Sequence, residues 1–147
     1  MSANTLSPRL AAIVEALPLR PGLRVLEIGC GSGAAARAIA ARIGDGHVLA
    51  IDRSAKAIQQ ARSASQAEIA AGRLSVRQVA AEDFVLEAGE APYDLAFAVR
   101  VGALDGRHPE LEQRALQRIA AALTPDGRLF IDGGDPLREI LLARQQG

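Results

Sequence analysis

Aromatic residues are scarce: three Phe, one Tyr and no Trp. Proteins that hold single-stranded nucleic acid stack its bases on aromatic faces, and this chain offers little to stack on. An excess of basic charge is missing too, because 17 Lys and Arg balance 17 Asp and Glu. Without a basic stripe to meet phosphates, nucleic acid is not expected as a partner. Cys30 is the only cysteine, so an intrachain disulfide is excluded. His47 and His108 stand far apart in the chain, and no metal site is expected. No apolar run approaches the roughly 20 residues that cross a bilayer. Met1–Arg9 does not read as a secretory leader. A cytoplasmic protein without a membrane partner is the simplest expectation.

What is present is a regular alternation. At 147 residues the chain has the length of one ordinary domain, 1–147. Ser7 and Pro8 suit an N-cap and a first helical residue. Leu10, Ile13, Val14 and Leu17 then fall on one helical face. Ala36, Ile39, Ala40 and Ile43 repeat that spacing, with Gly44 as a stop. A third helix, capped by Ser54, is predicted to run to about Ala71, and a fourth to span Glu110–Leu123. Strands are predicted at Val25–Ile28, His47–Ile51, Leu74–Val79, Tyr93–Val99 and Arg128–Ile131, with a turn at Pro125–Gly127. Leu137–Arg144 reads as a last helix. Strands separated by helices build a parallel sheet covered on both faces. The expected fold is therefore α/β and doubly wound, with about five mostly parallel strands and helices on both faces.

The most informative segment is Val25-Leu-Glu-Ile-Gly-Cys-Gly-Ser-Gly33. A strand runs into glycines and then into a helix. Glycine lets the backbone turn sharply and approach a ligand closely, and ligands of such sheets sit at the carboxyl ends of the strands. Asp52, at the end of the next strand, can accept hydrogen bonds from both hydroxyls of a ribose. Together they indicate a nucleoside-bearing cofactor. Gly29, Gly31 and Ala34 also fit the dinucleotide pattern G-x-G-x-x-A, which keeps a nicotinamide-dependent oxidoreductase in play. Glu27 argues otherwise. A carboxylate inside an apolar strand needs a partner. It would repel a pyrophosphate and attract the ammonium group of a methionine moiety.

On these residues the chain resembles the class I S-adenosylmethionine-dependent methyltransferases. Residues 25–33 resemble that family's first motif, and Val48–Asp52 its second. Ala81-Glu-Asp-Phe84 resembles the segment that lines the adenine, Tyr93-Asp-Leu95 the opening of the fourth strand, and Leu123–Phe130 the lead into the fifth. The resemblance covers about residues 8–132 and implies a Rossmann-like methyltransferase fold with S-adenosylmethionine as cofactor. It places Glu27, Gly29, Cys30, Gly31 and Gly33 at the methionine part, Asp52 at the ribose and Arg53 beside the adenine. Ala81 and Glu82 would flank the adenine edge, with Asp83 either joining them or capping a turn. Val99 and Arg100 would face the methyl group and the acceptor.

Two departures from the family pattern stand out. Ala80 occupies a position where the family often has Asp, so adenine recognition would rest on backbone groups. Only about fifteen residues follow Ile131, where the family's sheet usually adds a helix and two strands. Strand 128–131 would then be an exposed edge, covered by Leu137–Arg144 or by a second subunit in a homodimer.

No catalytic motif is legible. Methyl transfer by direct displacement depends mainly on positioning, and a base is optional. Arg100 can pair with an acidic acceptor, and His108 is a candidate base in the loop after the fourth strand. Cys30 has no basic neighbour in sequence to activate it. The expected function is methyl transfer to a small-molecule acceptor. A non-catalytic S-adenosylmethionine-binding module that needs a partner is the alternative of a different class.

Overall fold

The computed structural model describes residues 6–143. One six-stranded sheet runs through it in the order β3-β2-β1-β4-β5-β6. Its strands are β1 (Arg24–Ile28), β2 (His47–Asp52), β3 (Leu74–Gln78), β4 (Tyr93–Ala98), β5 (Leu123–Asp132) and β6 (Leu137–Ile140). The first five are parallel and β6 is antiparallel to β5. The helices are α1 (Pro8–Ala16), α2 (Ala34–Ala40), α3 (Ala55–Ala64), α4 (Gln66–Ala70) and α5 (Pro109–Ala122).

Alternation along the strands divides the core in two. Val25, Val48, Ala50, Leu95 and Phe97 pack with α1, α2 and α3 on one face. Leu26, Ile28, Leu49, Ile51 and Ala96 pack with α5 on the other. Every strand side chain from Val25 to Ile28 and from Val48 to Ile51 is buried, as expected where helices cover both sides of a parallel sheet. The α1 cap forms as read: Ser7 Oγ accepts from Leu10 N–H at 3.2 Å, with Pro8 in the first turn. Pro125–Gly127 lies where β5 leaves and rejoins its ladder, because β4 pairs Tyr93 with Leu123 and then Leu95 with Arg128.

Two expectations fail. The sheet has six strands, since Leu137–Ile140 is a strand and not a helix. The unpaired edge of β5 is worth more to this segment than a helical turn or two, because pairing satisfies a row of backbone groups at once. Arg128 locks the hairpin by a forked pair to Glu139, with contacts of 3.1 and 2.8 Å. Arg144, the end of the expected helix, lies outside the described residues. The edge of strand 128–131 is thus covered by the segment expected to cover it, residues 137–140, paired as a strand; a homodimer is not needed to cover it. Finally, the helix expected from Ser54 to Ala71 breaks at Ser65, which is fully buried. Its hydroxyl accepts from Arg37 Nη1 at 3.0 Å.

Candidate functional site

The strand order reverses direction at β1, with β2 on one side and β4 on the other. Such a switch point opens a crevice at the carboxyl ends of the strands. A cleft of about 280 Å³ sits there. Gly29, Asp52 and Arg53 form part of its wall, Ala80, Ala81 and Glu82 another part, and Arg100 and His108 face it from the β4 side. Glu27, Cys30, Gly31, Gly33 and Val99 are not on that wall. They lie beneath it or on the flank of the glycine loop.

The loop is docked onto β2 by its own backbone. Gly29 and Cys30 N–H both donate to the Ile51 carbonyl, at 2.8 and 2.9 Å. Gly31 N–H donates to Asp52 Oδ2 at 3.0 Å, and Gly33 N–H to the Cys30 carbonyl at 2.9 Å. Four N–H groups that a ligand would otherwise meet are thus committed within the chain. What the loop offers is room. Gly29, at φ +73°, has no space for a Cβ, which would stand 2.7 Å from Val101 Cγ2. At Gly31 a Cβ meets nothing within 4 Å, so the space above it is open.

Asp52 is held by the same backbone. Its Oδ2 takes the Gly31 N–H, and its Oδ1 takes the Ser54 N–H at 2.9 Å. Each carboxylate oxygen can accept again, so two ribose hydroxyls remain within its capacity.

Glu27 is only 4 % exposed, and its Oε1 has no hydrogen-bond partner. Burial raises its pKa to about 8; the charge of Asp52 adds to the rise, while Arg37 and the Ala36 N–H oppose it. An unmatched buried carboxylate oxygen costs stability until a donor meets it. The site therefore fits a ligand that brings a cationic donor to Glu27 and ribose hydroxyls to Asp52. S-adenosylmethionine carries both.

The wall formed by Ala81 and Glu82 is part of a short 3₁₀ turn, Ala81–Asp83. Arg114 of α5 grips it, with Nε donating to the Glu82 carbonyl at 2.7 Å and Nη2 to Asp83 Oδ1 at 3.2 Å. Asp83 is thereby a structural tie and does not face the cleft. Cys30 is buried, and burial, with the charges of Glu27 and Asp52, pushes its thiol far above the ordinary range. A thiol that stays protonated is no nucleophile. Among the described residues, no group of three or more His, Cys, Asp or Glu is placed to hold a metal ion. No helix there is long and apolar enough to cross a membrane.

Two contributors escaped the sequence reading. Arg37 reaches under the loop and donates to the Ser32 carbonyl at 2.8 Å. A charge set among Ala and Ile residues of α2 was the available signal. Asp132 ends β5, donating nothing and accepting from Arg100 N–H at 3.1 Å and from Arg9 Nη2 at 2.8 Å. Its place at the carboxyl end of a parallel strand could have marked it.

A doubly wound sheet with a glycine loop at its switch point and an Asp at the end of the neighbouring strand defines a Rossmann-like α/β domain. The comparison with known sequences makes this specific. The sequence model of the family described as "Methyltransferase domain" matches residues 25–127, and the chain belongs to the class I S-adenosylmethionine-dependent methyltransferases. It is 39 % identical over 133 residues to the protein-L-isoaspartate O-methyltransferase of Methylorubrum extorquens, covering 90 % of this chain and 51 % of that protein. To the nocamycin O-methyltransferase of Saccharothrix syringae it is 33 % identical over 129 residues, covering 88 % and 44 %. The chain spans about half the length of the curated relatives it matches. Among solved structures, the pyocyanin biosynthetic protein PhzM superposes with a TM-score of 0.68 at 22 % identity, covering 87 % of this chain and 38 % of that one. A methyltransferase from Aquifex aeolicus gives 0.65 at 20 %, covering 83 % and 62 %.

Proposed function

We propose that this domain binds S-adenosylmethionine in the cleft at the β1 switch point and transfers its methyl group to a small-molecule acceptor. The observation that carries the reading is the buried Oε1 of Glu27, which lacks a partner. The O-methyltransferase names of the two relatives support oxygen as the accepting atom. When bound, the cofactor supplies an electrophilic methyl group on a sulfonium, and displacement from it needs no covalent enzyme intermediate.

The chain's own residues would do the rest. Glu27 holds the ammonium group, while Gly31 leaves room for the methionine part. Asp52 receives the ribose hydroxyls and Arg53 stands beside the adenine. Backbone groups from Ala80 to Glu82 meet the adenine edge. Arg100 and His108, past the end of β4, face the acceptor, while Val99 stands behind the wall at the strand end. Rate then comes from alignment of acceptor and methyl carbon. His108, at the start of α5, is the candidate to take the acceptor's proton.

Calorimetric titration with S-adenosylmethionine, S-adenosylhomocysteine and NAD tests this directly. Both sulfur nucleosides are expected to bind the wild type and NAD is not. NAD binding alone would replace the assignment with a dehydrogenase reading. Sulfur-nucleoside binding without turnover on any acceptor, rescued by a second protein, would reduce the chain to a binding module.

A further inference from the structure

The β4 side of the cleft differs in charge from the β2 side. Asp52 and Glu82 are the carboxylates on the wall, and both belong to the part assigned above to the nucleoside. From residue 100 to 111 the wall presents Arg100, Arg107 and His108 together with the apolar Val101, Ala103 and Leu111. Two of these three polar side chains are already engaged. Arg107 is paired with Asp105 at 2.9 Å, and His108 lies 3.4 Å from Glu110. Arg100 is different: among the described residues its guanidinium has no hydrogen bond or ion pair, while both its backbone groups are tied. Its N–H donates to Asp132 Oδ1 at 3.1 Å, and its carbonyl accepts from Arg107 Nη2 at 2.7 Å.

Those ties hold an unusual conformation. Arg100 has φ +57°, and it is the sole non-glycine residue with positive φ among the described ones. An L-residue persists there only when its surroundings over-determine it, and such positions gather at functional sites. Here Asp132, itself paired with Arg9 of α1, and Arg107 supply the determination. The result is a fixed backbone at the end of β4 that carries an exposed, unpaired guanidinium on the cleft wall.

We propose that Arg100 is the acceptor-binding residue and that the acceptor carries a carboxylate. Val101, Ala103 and Leu111 receive its apolar part. This rests on the methyl-transfer reading above. A planar guanidinium matches the two oxygens of a carboxylate. A phosphate dianion fits less well, because Asp105, Asp132 and Glu110 stand close by and the first turn of α5 carries Glu110 and Glu112. Arg107 and Asp132 are positioning residues for Arg100.

The test uses protein saturated with S-adenosylhomocysteine, titrated with matched pairs: acetate and acetamide, benzoate and benzamide, succinate and succinamide. Phenyl phosphate is the competing anion. At least one carboxylate is expected to bind about tenfold more tightly than its amide. Arg100→Gly keeps the left-handed backbone and removes the guanidinium, so it is expected to fold and to erase that preference. Arg73→Gln, on an exposed loop away from the cleft, is expected to leave the preference intact. The proposal is overturned if no acid outbinds its amide, if phenyl phosphate outbinds benzoate, or if Arg100→Gly keeps the preference. Failure to load S-adenosylhomocysteine would overturn the methyl-transfer reading instead, and it is read in a separate titration.

Discussion

The two sides of β1 are built in different ways. On the β2 side, main-chain N–H groups of the glycine loop donate at 2.8–3.0 Å to the Ile51 carbonyl and the Asp52 carboxylate, which lock the loop in place. All the residues involved fall between Gly29 and Asp52. On the β4 side, the strand end is held by side chains from remote parts of the chain. Arg9 and Asp132 are 123 residues apart, and Asp132 is 32 from Arg100. The first arrangement, made within one short stretch of chain, is rigid and tolerates little change. The second, made from exposed, long-range side-chain ties, can be altered without disturbing the first.

The sharpest way to break this division is Glu27→Gln. It is expected to weaken S-adenosylmethionine binding by more than about 100-fold, since a neutral amide does not compensate the ammonium charge. The same change is expected to stabilise the free protein at high pH. The folded pKa of Glu27, about 8, lies above its ordinary 4.5. Between those values the folded state binds more protons than the unfolded state, so stability falls as pH rises through that window. Denaturant midpoints at pH 6 and pH 9 should therefore show the variant gaining on the wild type with pH. A gap that does not change with pH would mean that Glu27 stays charged in the free protein.

Asp52→Ala comes next. Two backbone N–H groups and the ribose hydroxyls lose their acceptor, and nucleoside affinity is expected to fall about 10- to 100-fold. The acceptor side should show the mirror image in Asp132→Ala. Its effect on stability is expected to be near 1 kcal/mol, because Arg9 is half exposed and such pairs are weakened by solvent. The KM for the acceptor should rise while S-adenosylmethionine affinity stays within about twofold. Equal losses on both ligands would show that the two sides are coupled. The smallest effect is that of Arg100→Gly on stability, a gain of up to about 1 kcal/mol from relieved backbone strain. A thermal melt with cofactor absent measures it.

Legibility followed the same division. Gly29, Gly31, Gly33 and Asp52 stood out because their residue types are needed by a local backbone shape. Glu27 stood out because a charge is costly inside an apolar strand. Arg37, set among Ala and Ile residues of α2, carried a signal that went unread; Arg107 and Asp132 did not stand out, because an Arg or Asp near an element's end is common and only its partner gives it a role. Ser65 likewise gave no signal of breaking a helix. Its hydroxyl became a stop only when Arg37 arrived from another element to bond it.

The amino-acid sequence determined the alternation of five strands and their helices, the position of the glycine loop at the switch point and the two carboxylates, Glu27 and Asp52, beside it. Periodicity, capping and glycine placement act over a few residues, and those signals are written in order along the chain. The tertiary structure decided that Leu137–Ile140 is a sixth strand. A four-residue segment of alternating apolar and charged character, Leu137-Arg-Glu-Ile140, takes its conformation from the edge it meets, and the edge of β5 offered a ladder of unsatisfied backbone groups. It also decided the conformation of Arg100, which depends on an Asp and an Arg that only folding brings to its two sides.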